Sequence, residues 1–173
     1  MGSGNTGIDS LLLGRDARGW FVTARGSIRA MLCFPLRDEL LERLEEPPRD
    51  VFVDLADCLY MDSTFIGLLV AMDRRLRGIG GGGLHVLRPS PACRDLLGQL
   101  GLLEVLSIEE DAPATPVGMR ELAERDGKPG AEFILKAHEA LMETSGEARK
   151  KFGVLKEVLE RKLRAEKPPE DTR

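Results

Sequence analysis

Residues 51–70 read VFVDLADCLYMDSTFIGLLV, and the character of the chain changes half-way along them. Residues 51–55 are a short apolar run of the kind that forms a buried strand. Residues 65–72 are almost wholly apolar, which predicts a helix that is covered on most sides. Asp62, Ser63 and Thr64 lie between the two runs. The pattern therefore predicts a strand, a turn and a helix, with a hydroxyl group at the helix N-terminus.

Ser63 has three interpretations at that position. A serine or aspartate before an apolar helix is first of all an N-cap, which stabilises the helix by ~1 kcal/mol and needs no further function. The same hydroxyl is placed to help bind an anion or to accept a phosphoryl group. Asp54, Asp57 and Asp62 crowd the end of the predicted strand. A magnesium site there is conceivable, although such acids more often cap backbone amides.

Short strands and helices alternate through the preceding and following residues. Strands are predicted at residues 11–13, 20–24, 51–55, 84–87 and 105–108, and helices at residues 28–44, 63–77 and 91–100. The first two strands are joined by a tight turn and must be antiparallel, whereas the later order implies parallel βαβ units. We expect an α/β fold, with a mixed sheet of about five strands and helices packed on it.

Two residues inside the predicted helices affect where one helix starts and how closely another can pack. Pro35 marks an early turn of the first helix, or its start. Gly67 lowers the helix propensity of its segment by about 1 kcal/mol, and its missing side chain would let a neighbouring element approach closely.

Composition excludes several classes of function. The formal net charge of −4 argues against a nucleic-acid binder, which should carry a basic face. The three cysteines fit no metal or redox spacing and are interpreted as buried free thiols: Cys33, Cys58 and Cys93. There is no secretory segment and no apolar run long enough to span a membrane, so we expect a cytoplasmic protein.

No catalytic group of residues is evident. Ser63 lacks a Gly-x-Ser-x-Gly context, and packing roles are favoured for His85, in a predicted strand, and His138, on a helical seam. The glycine run at 78–83 follows a helix and precedes a strand, the reverse of the order in a phosphate-binding loop. We therefore expect a binding protein rather than an enzyme, without cofactor or metal.

The chain changes composition after residue 110, and every lysine lies at position 128 or later. We expect a domain at 8–110, a linker at 111–130 with a short helix near 120–124, and a helical extension at 131–166. Residues 1–7 and 167–173 are expected to be disordered. The extension has a narrow seam: Ile134, His138, Leu141, Ser145, Ala148, Phe152, Leu155 and Leu159. A capping pattern at 144–147 predicts two helices with a bend.

The seam could contact either the domain of its own chain or a second copy of the chain. Packing on the domain is favoured over a coiled coil, because His138, Ser145 and Ala148 make it a weak seam for an independent dimer. We expect a monomer, or a weak homodimer through these helices.

A resemblance to a known family adds to this interpretation. Residues 54–64, DLADCLYMDST, followed by Gly67-Leu-Leu, resemble the signature of STAS domains, the anti-sigma factor antagonist family. The order of the predicted elements from residue 11 to residue 108 is similar to that family as well. The resemblance implies a STAS-like fold with an additional C-terminal helical part.

The resemblance also implies a function. In that family the serine after the motif's aspartate, here Ser63, is phosphorylated by a Ser/Thr kinase that also acts as an anti-sigma factor. Asp62 would be the acidic neighbour of the phosphorylated residue, and Thr64 a second candidate site. The unphosphorylated antagonist binds the kinase and frees a bacterial sigma factor, and a PP2C-like phosphatase resets the switch.

Two positions depart from the family's usual pattern. Phe65 replaces a common glycine, and Arg29 replaces an acidic residue in an early Gly-x-Leu/Ile-Asp element. We expect both side chains to alter a partner-facing surface formed with Asp62 and Thr64. The alternative is a constitutive scaffold in a bacterial signalling complex, in which Ser63 only caps its helix and the C-terminal helices self-associate.

Overall fold

The computed structural model describes residues 8–124 and 130–166 of the chain. Its elements in chain order are β1 (Ser10–Asp16), β2 (Gly19–Ile28), α1 (Ala30–Leu40), β3 (Val51–Asp54), β4 (Cys58–Met61), α2 (Ser63–Ile79), β5 (Leu84–Leu87), α3 (Pro91–Gln99), β6 (Ser107–Glu109), β7 (Arg120–Glu121), α4 (Ala131–Thr144) and α5 (Gly146–Glu166). A 3-10 turn (Leu41–Arg43) follows α1. The two ends predicted to be disordered, 1–7 and 167–173, lie outside the described residues.

The strands form one mixed sheet in the order β6-β5-β3-β2-β1-β7, with β4 beside β2 and off this path. β1 and β2 make an antiparallel hairpin, whereas β2, β3, β5 and β6 run parallel because helices connect them as crossovers. β2 has 10 residues, so β3 pairs with its first half and β4 with its second. The predicted α/β fold with a mixed sheet and packed helices is confirmed.

Two strands lie outside the five predicted ones. β4 lies between the predicted strand at 51–55 and the predicted turn at 62–64, where the sequence predicts no element, and its pairing partner is the extended end of β2. Residues 120–124 were expected to form a short helix, which is wrong. They begin with β7, which pairs antiparallel with β1 at Leu12 and Leu13.

The first helix starts later than its sequence pattern indicates. Ile28 is the last residue of β2 and is fully buried, so α1 begins at Ala30. Pro35 lies inside α1, five residues after Ala30, and therefore does not mark the start of the helix.

The core lies between the sheet and its helices. Alternate β2 residues Trp20, Val22 and Ala24 belong to it, as expected from the twofold period of a strand. Phe21 points to the other face, where its ring stacks 4.8 Å from that of Phe52. The three cysteines are free and buried, as predicted: Cys33, Cys58 and Cys93. Within residues 8–124 and 130–166, no helix combines the length and hydropathy needed to cross a bilayer.

The C-terminal extension forms two helices that pack on the domain. α4 contacts α2 on one side and α5 on the other, and a bend at Ser145 separates the two C-terminal helices. The Ser145 hydroxyl accepts a hydrogen bond from the Ala148 N–H at 3.3 Å, and so caps α5. The seam thus packs on its own domain through Leu141 and Ala148, both of which are fully buried. The side chains of two further seam residues lie outside the described part: Leu155 and Leu159.

The core predicts a clear contrast between two leucines. Leu69 in α2 is 0% exposed and Leu59 in β4 is 67% exposed. Leu69→Ala should lower the free energy of unfolding by about 2–5 kcal/mol, because it removes buried methyl groups and leaves a cavity. Leu59→Ala should change it by less than about 0.5 kcal/mol. Urea unfolding followed by circular dichroism measures both, and similar losses for the two variants would contradict this core.

Candidate functional site

The carboxylate of Asp62 bridges the starts of two helices. Its Oδ1 accepts a hydrogen bond from the Phe65 N–H at 2.9 Å, which makes Asp62 the N-cap of α2. Its Oδ2 accepts a hydrogen bond from the Ala30 N–H at 2.8 Å, in the first residue of α1. Both oxygens therefore satisfy backbone donors that would otherwise be left without partners. The cap of α2 is Asp62 and not Ser63, so the interpretation of Ser63 as the cap is wrong.

Ser63 is the first residue of α2 and is partly buried. Its Oγ lies 2.6 Å from Nε2 of His138, in the middle of α4. Nδ1 of the same imidazole lies 2.8 Å from the main-chain oxygen of Ile134. A carbonyl oxygen can only accept, so Nδ1 carries the proton and Nε2 of the neutral ring is an acceptor. The hydroxyl of Ser63 is therefore the donor to His138.

His138 is only 1% exposed. Burial is the main cause that lowers its pKa below the ordinary value, while the bond to Ile134 and the negative charge of Asp62 oppose that shift. Its ring lies 5.2 Å from the ring of Phe152 in α5. The imidazole is thus held neutral between α2 and α5, with both of its nitrogens bonded.

Thr64 and Phe65 point into the protein. Thr64 is 3% exposed and Phe65 is 0% exposed, and Phe65 belongs to the main core. The expectation that these two side chains lie on a partner-facing surface is therefore corrected. In this fold Thr64 is not presented as a second modification site, and the bulk of Phe65 fills the core under α2.

Close backbone contact seats α4 on α2. A Cβ built on Gly67 would lie 2.2 Å from the carbonyl oxygen of Ala137, and its three nearest atoms all belong to that residue. Only glycine permits this approach, as the sequence predicted. The ring of Phe133, at the start of α4, lies 4.7 Å from that of Phe34 in α1.

The far end of α4 is fastened as well. The Ser145 hydroxyl donates to the main-chain oxygen of Leu100, just beyond α3, at 2.5 Å. Glu143 pairs with Arg74 of α2 on the surface. Together with the Gly67 contact, these bonds fix the hairpin of α4 and α5, residues 131–166, across one side of α2.

An exposed surface lies where β4 pairs with the end of β2. It consists of Arg29, Leu59 and Tyr60, and we call it the exposed patch. Leu59 is 67% and Tyr60 48% exposed, and the Arg29 guanidinium lies 6.0 Å from the centre of the Tyr60 ring. Pairing of β4 with β2 places the patch beside the start of α1, where Asp62 joins the two helices.

Comparison with known proteins identifies the fold family. A family model described as "Mlab, STAS domain" matches residues 13–107, more than half of the chain. The chain belongs to the STAS domain family. The match spans the region from β1 to the start of β6, so the hairpin of α4 and α5 lies outside it.

Two solved structures are similar to the chain over part of its length. The anti-sigma factor antagonist SpoIIAA in its unphosphorylated form has a TM-score of 0.51 and 19% identity, over 57% of this chain and 86% of that one. A STAS domain protein from Planctomyces limnophilus has a TM-score of 0.44 and 20% identity, over 59% of this chain and 91% of that one. No curated protein matches the chain.

Two acids of this STAS domain make backbone bonds, as predicted. Asp54 accepts a hydrogen bond from the Ala56 N–H at 3.1 Å and pairs with Arg88, while Asp62 is the cap described above. The third acid, Asp57, is exposed. Among the described residues, no group of three or more histidine, cysteine or acidic side chains is arranged to hold a metal ion.

His138 is the site residue that the sequence did not reveal. It lies 75 positions from Ser63, and neither segment identifies the other as its partner. The sequence does indicate that His138 needs partners, because a buried histidine among apolar seam positions must have its ring nitrogens hydrogen-bonded. The serine at the start of an apolar helix is one such partner.

The bridge formed by Asp62 can be tested through stability. Asp62→Ala should lower the free energy of unfolding by about 1–3 kcal/mol, because two helix N-termini lose their acceptor. Asp57→Ala, the same substitution at an exposed site in the same connection, should change it by less than about 0.5 kcal/mol. Urea unfolding compares the two, and equal effects would refute the bridging role.

The environment of His138 predicts a pH dependence. Its folded-state pKa lies below the ordinary value of 6.5, so the unfolded chain binds the extra proton first. The contribution of the neutral His138 to the free energy of unfolding is therefore complete above pH 6.5. This contribution falls as the pH drops below 6.5, with a slope of at most about 1.4 kcal/mol per pH unit.

His138→Leu keeps a similar volume and removes this titration. Lowering the pH from about 7.5 to about 5.5 should therefore reduce the free energy of unfolding of the natural chain more than that of the variant. Asp62, the acid whose charge acts on the ring, is present in both proteins. Parallel pH profiles would contradict the buried neutral state of His138.

Proposed function

We propose that this STAS domain protein is an anti-sigma factor antagonist that is switched by phosphorylation of Ser63. Unphosphorylated, it binds a Ser/Thr kinase that acts as the anti-sigma factor, and a PP2C-like phosphatase restores this form. The observation that carries the proposal is that Asp62, and not Ser63, is the N-cap of α2. Asp62 provides the cap, so the neighbouring Ser63 hydroxyl is not needed to hold the helix together.

The position of Ser63 is electrostatically suited to a switch. A phosphoryl group adds about −1.5 to −2 charge and three acceptor oxygens. The N-terminus of α2 favours that charge by about 0.3–1 kcal/mol, whereas the carboxylate of Asp62 opposes it. These two contributions have opposite signs. Phosphorylation would therefore leave the domain at 8–110 folded and act on what lies against Ser63, which includes α4 and the surface that a partner meets.

The exposed patch supports a protein partner. Tyrosine and arginine are enriched in protein interfaces, and an exposed leucine next to the tyrosine in the chain offers apolar area. Arg29, Leu59 and Tyr60 provide these side chains beside the start of α2. A kinase that binds this patch would have its active site next to Ser63, so a phosphate there would repel the acidic groups of that site.

The Ser63–His138 contact favours a binding protein over an enzyme. In a hydrolase the imidazole is oriented by a carboxylate and opens on a substrate site. Here Nδ1 faces the main-chain oxygen of Ile134, and the ring is 1% exposed. A substrate has no access to this pair while α4 is in place.

Phosphorylation can be measured directly. The full chain, incubated with the Ser/Thr kinase that co-purifies from its native source and with Mg-ATP, should gain one phosphoryl group on Ser63 by peptide mass spectrometry. Ser63→Ala should gain none, and Ser107→Ala, which removes an exposed serine in β6, should behave like the natural chain. Ser63→Asp should weaken kinase binding at least about tenfold, or about 1.4 kcal/mol, and Ser63→Ala should retain it.

Two results would contradict the proposal. One is phosphorylation at another residue while Ser63 stays unmodified. The other is equal affinity of the kinase for the alanine and aspartate variants. Calorimetric titration of both variants with the same kinase preparation measures the second.

A further inference from the structure

The hairpin of α4 and α5 limits the approach to Ser63. His138, in α4, lies 2.6 Å from the Ser63 hydroxyl, and α4 meets α2 again one turn later at Gly67 and Ala137. A kinase must bring the γ-phosphorus of ATP within about 3–3.5 Å of the serine oxygen, in line with the leaving group. Part of the space needed for that approach is occupied by α4.

The docked hairpin also holds the proton that a kinase must take. In phosphoryl transfer the Ser63 oxygen forms a bond to the γ-phosphorus, the bond to the β–γ bridging oxygen breaks and ADP leaves. The hydroxyl proton passes to the catalytic aspartate of the kinase. In the present structure that proton is donated to Nε2 of His138, so this bond must break before the kinase carboxylate can accept the proton.

A phosphate on Ser63 has no room beside His138. The 2.6 Å between the serine oxygen and the imidazole nitrogen is a hydrogen-bond distance, with no space for a phosphorus atom and three oxygens. His138 is buried between Ser63 and Phe152, and it cannot move aside while α4 remains against Gly67. Because phosphorylation removes this hydrogen bond and adds bulk and charge at the face of α4, docking of the hairpin and phosphorylation of Ser63 oppose each other.

We propose that the hairpin of α4 and α5 is an intramolecular inhibitor of the Ser63 switch, an inference that rests on the proposed function. While the hairpin is docked, Ser63 is withheld from the kinase. When it leaves α2, Ser63 becomes accessible, and phosphorylation then prevents it from returning. Because such coupling is reciprocal, docking must oppose phosphorylation by as much as phosphorylation opposes docking.

The contact at Gly67 offers a selective way to release the hairpin. Gly67→Ala places a methyl group 2.2 Å from the carbonyl oxygen of Ala137, so α4 must move away, while alanine itself favours the helical state of α2. Gly78→Ala is the matched control, because it makes the same change in the same helix and the added Cβ meets no atom within 4 Å.

Hydrogen exchange and phosphorylation are measured on the full chain. In Gly67→Ala, amide exchange in residues 131–144 should rise at least about tenfold, and the rate of Ser63 phosphorylation by the co-purifying kinase should rise by a similar factor. Gly78→Ala should match the natural chain in both. Unchanged exchange in Gly67→Ala, or faster exchange with an unchanged phosphorylation rate, would overturn the inhibitory role.

A second variant needs no kinase. Ser63→Asp introduces a charge against the buried imidazole, and it should raise exchange in residues 131–144, whereas exchange in α3, residues 91–99, should stay as in the natural chain. Protection of α4 in this variant would refute the opposition between docking and a charge at position 63. If α4 is released in both variants but Ser63 is phosphorylated neither in the natural chain nor in Gly67→Ala, the proposed function fails, and the opposition between the hairpin and a charge at position 63 stands.

Discussion

The carboxylate of Asp62 determines the geometry at this end of the domain. By accepting the N–H groups of Ala30 and Phe65, it sets the start of α1 against the start of α2. The exposed patch and Ser63 belong to the residues around these two starts. Their relative positions therefore depend on one side chain that makes two bonds, and not on a loop that could adopt several shapes.

Much of the fold could be predicted because its signals are local. The apolar run at 51–55 and the apolar helix that follows Asp62 each identify their element without reference to the rest of the chain. β4 could not be predicted in this way, since its four residues, CLYM, show no alternation of apolar and polar side chains and have an acid on either side. It forms only because β2 is long enough to pair with two strands in succession. β7 depends in the same way on the free edge of β1.

The site was less accessible to sequence reasoning. The family resemblance drew attention to Ser63, but it also suggested a surface position for Phe65, whereas the apolar run containing Phe65 already indicated the core. The contact between Ser63 and His138 joins two segments that are far apart in the chain, and no periodicity encodes it. Only the packing of α4 on α2, which Gly67 permits, brings the two residues together.

The lack of a side chain at Gly67 makes the sequence of α2 depend on the C-terminal extension. A related chain that lost α4 and α5 would be free to place alanine or a larger residue at this position, and would gain helix propensity by doing so. A chain that retains the hairpin cannot make that exchange. The residue at position 67 is thus constrained by Ala137 in a helix far along the chain, and a change of side chain there also changes how the hairpin packs.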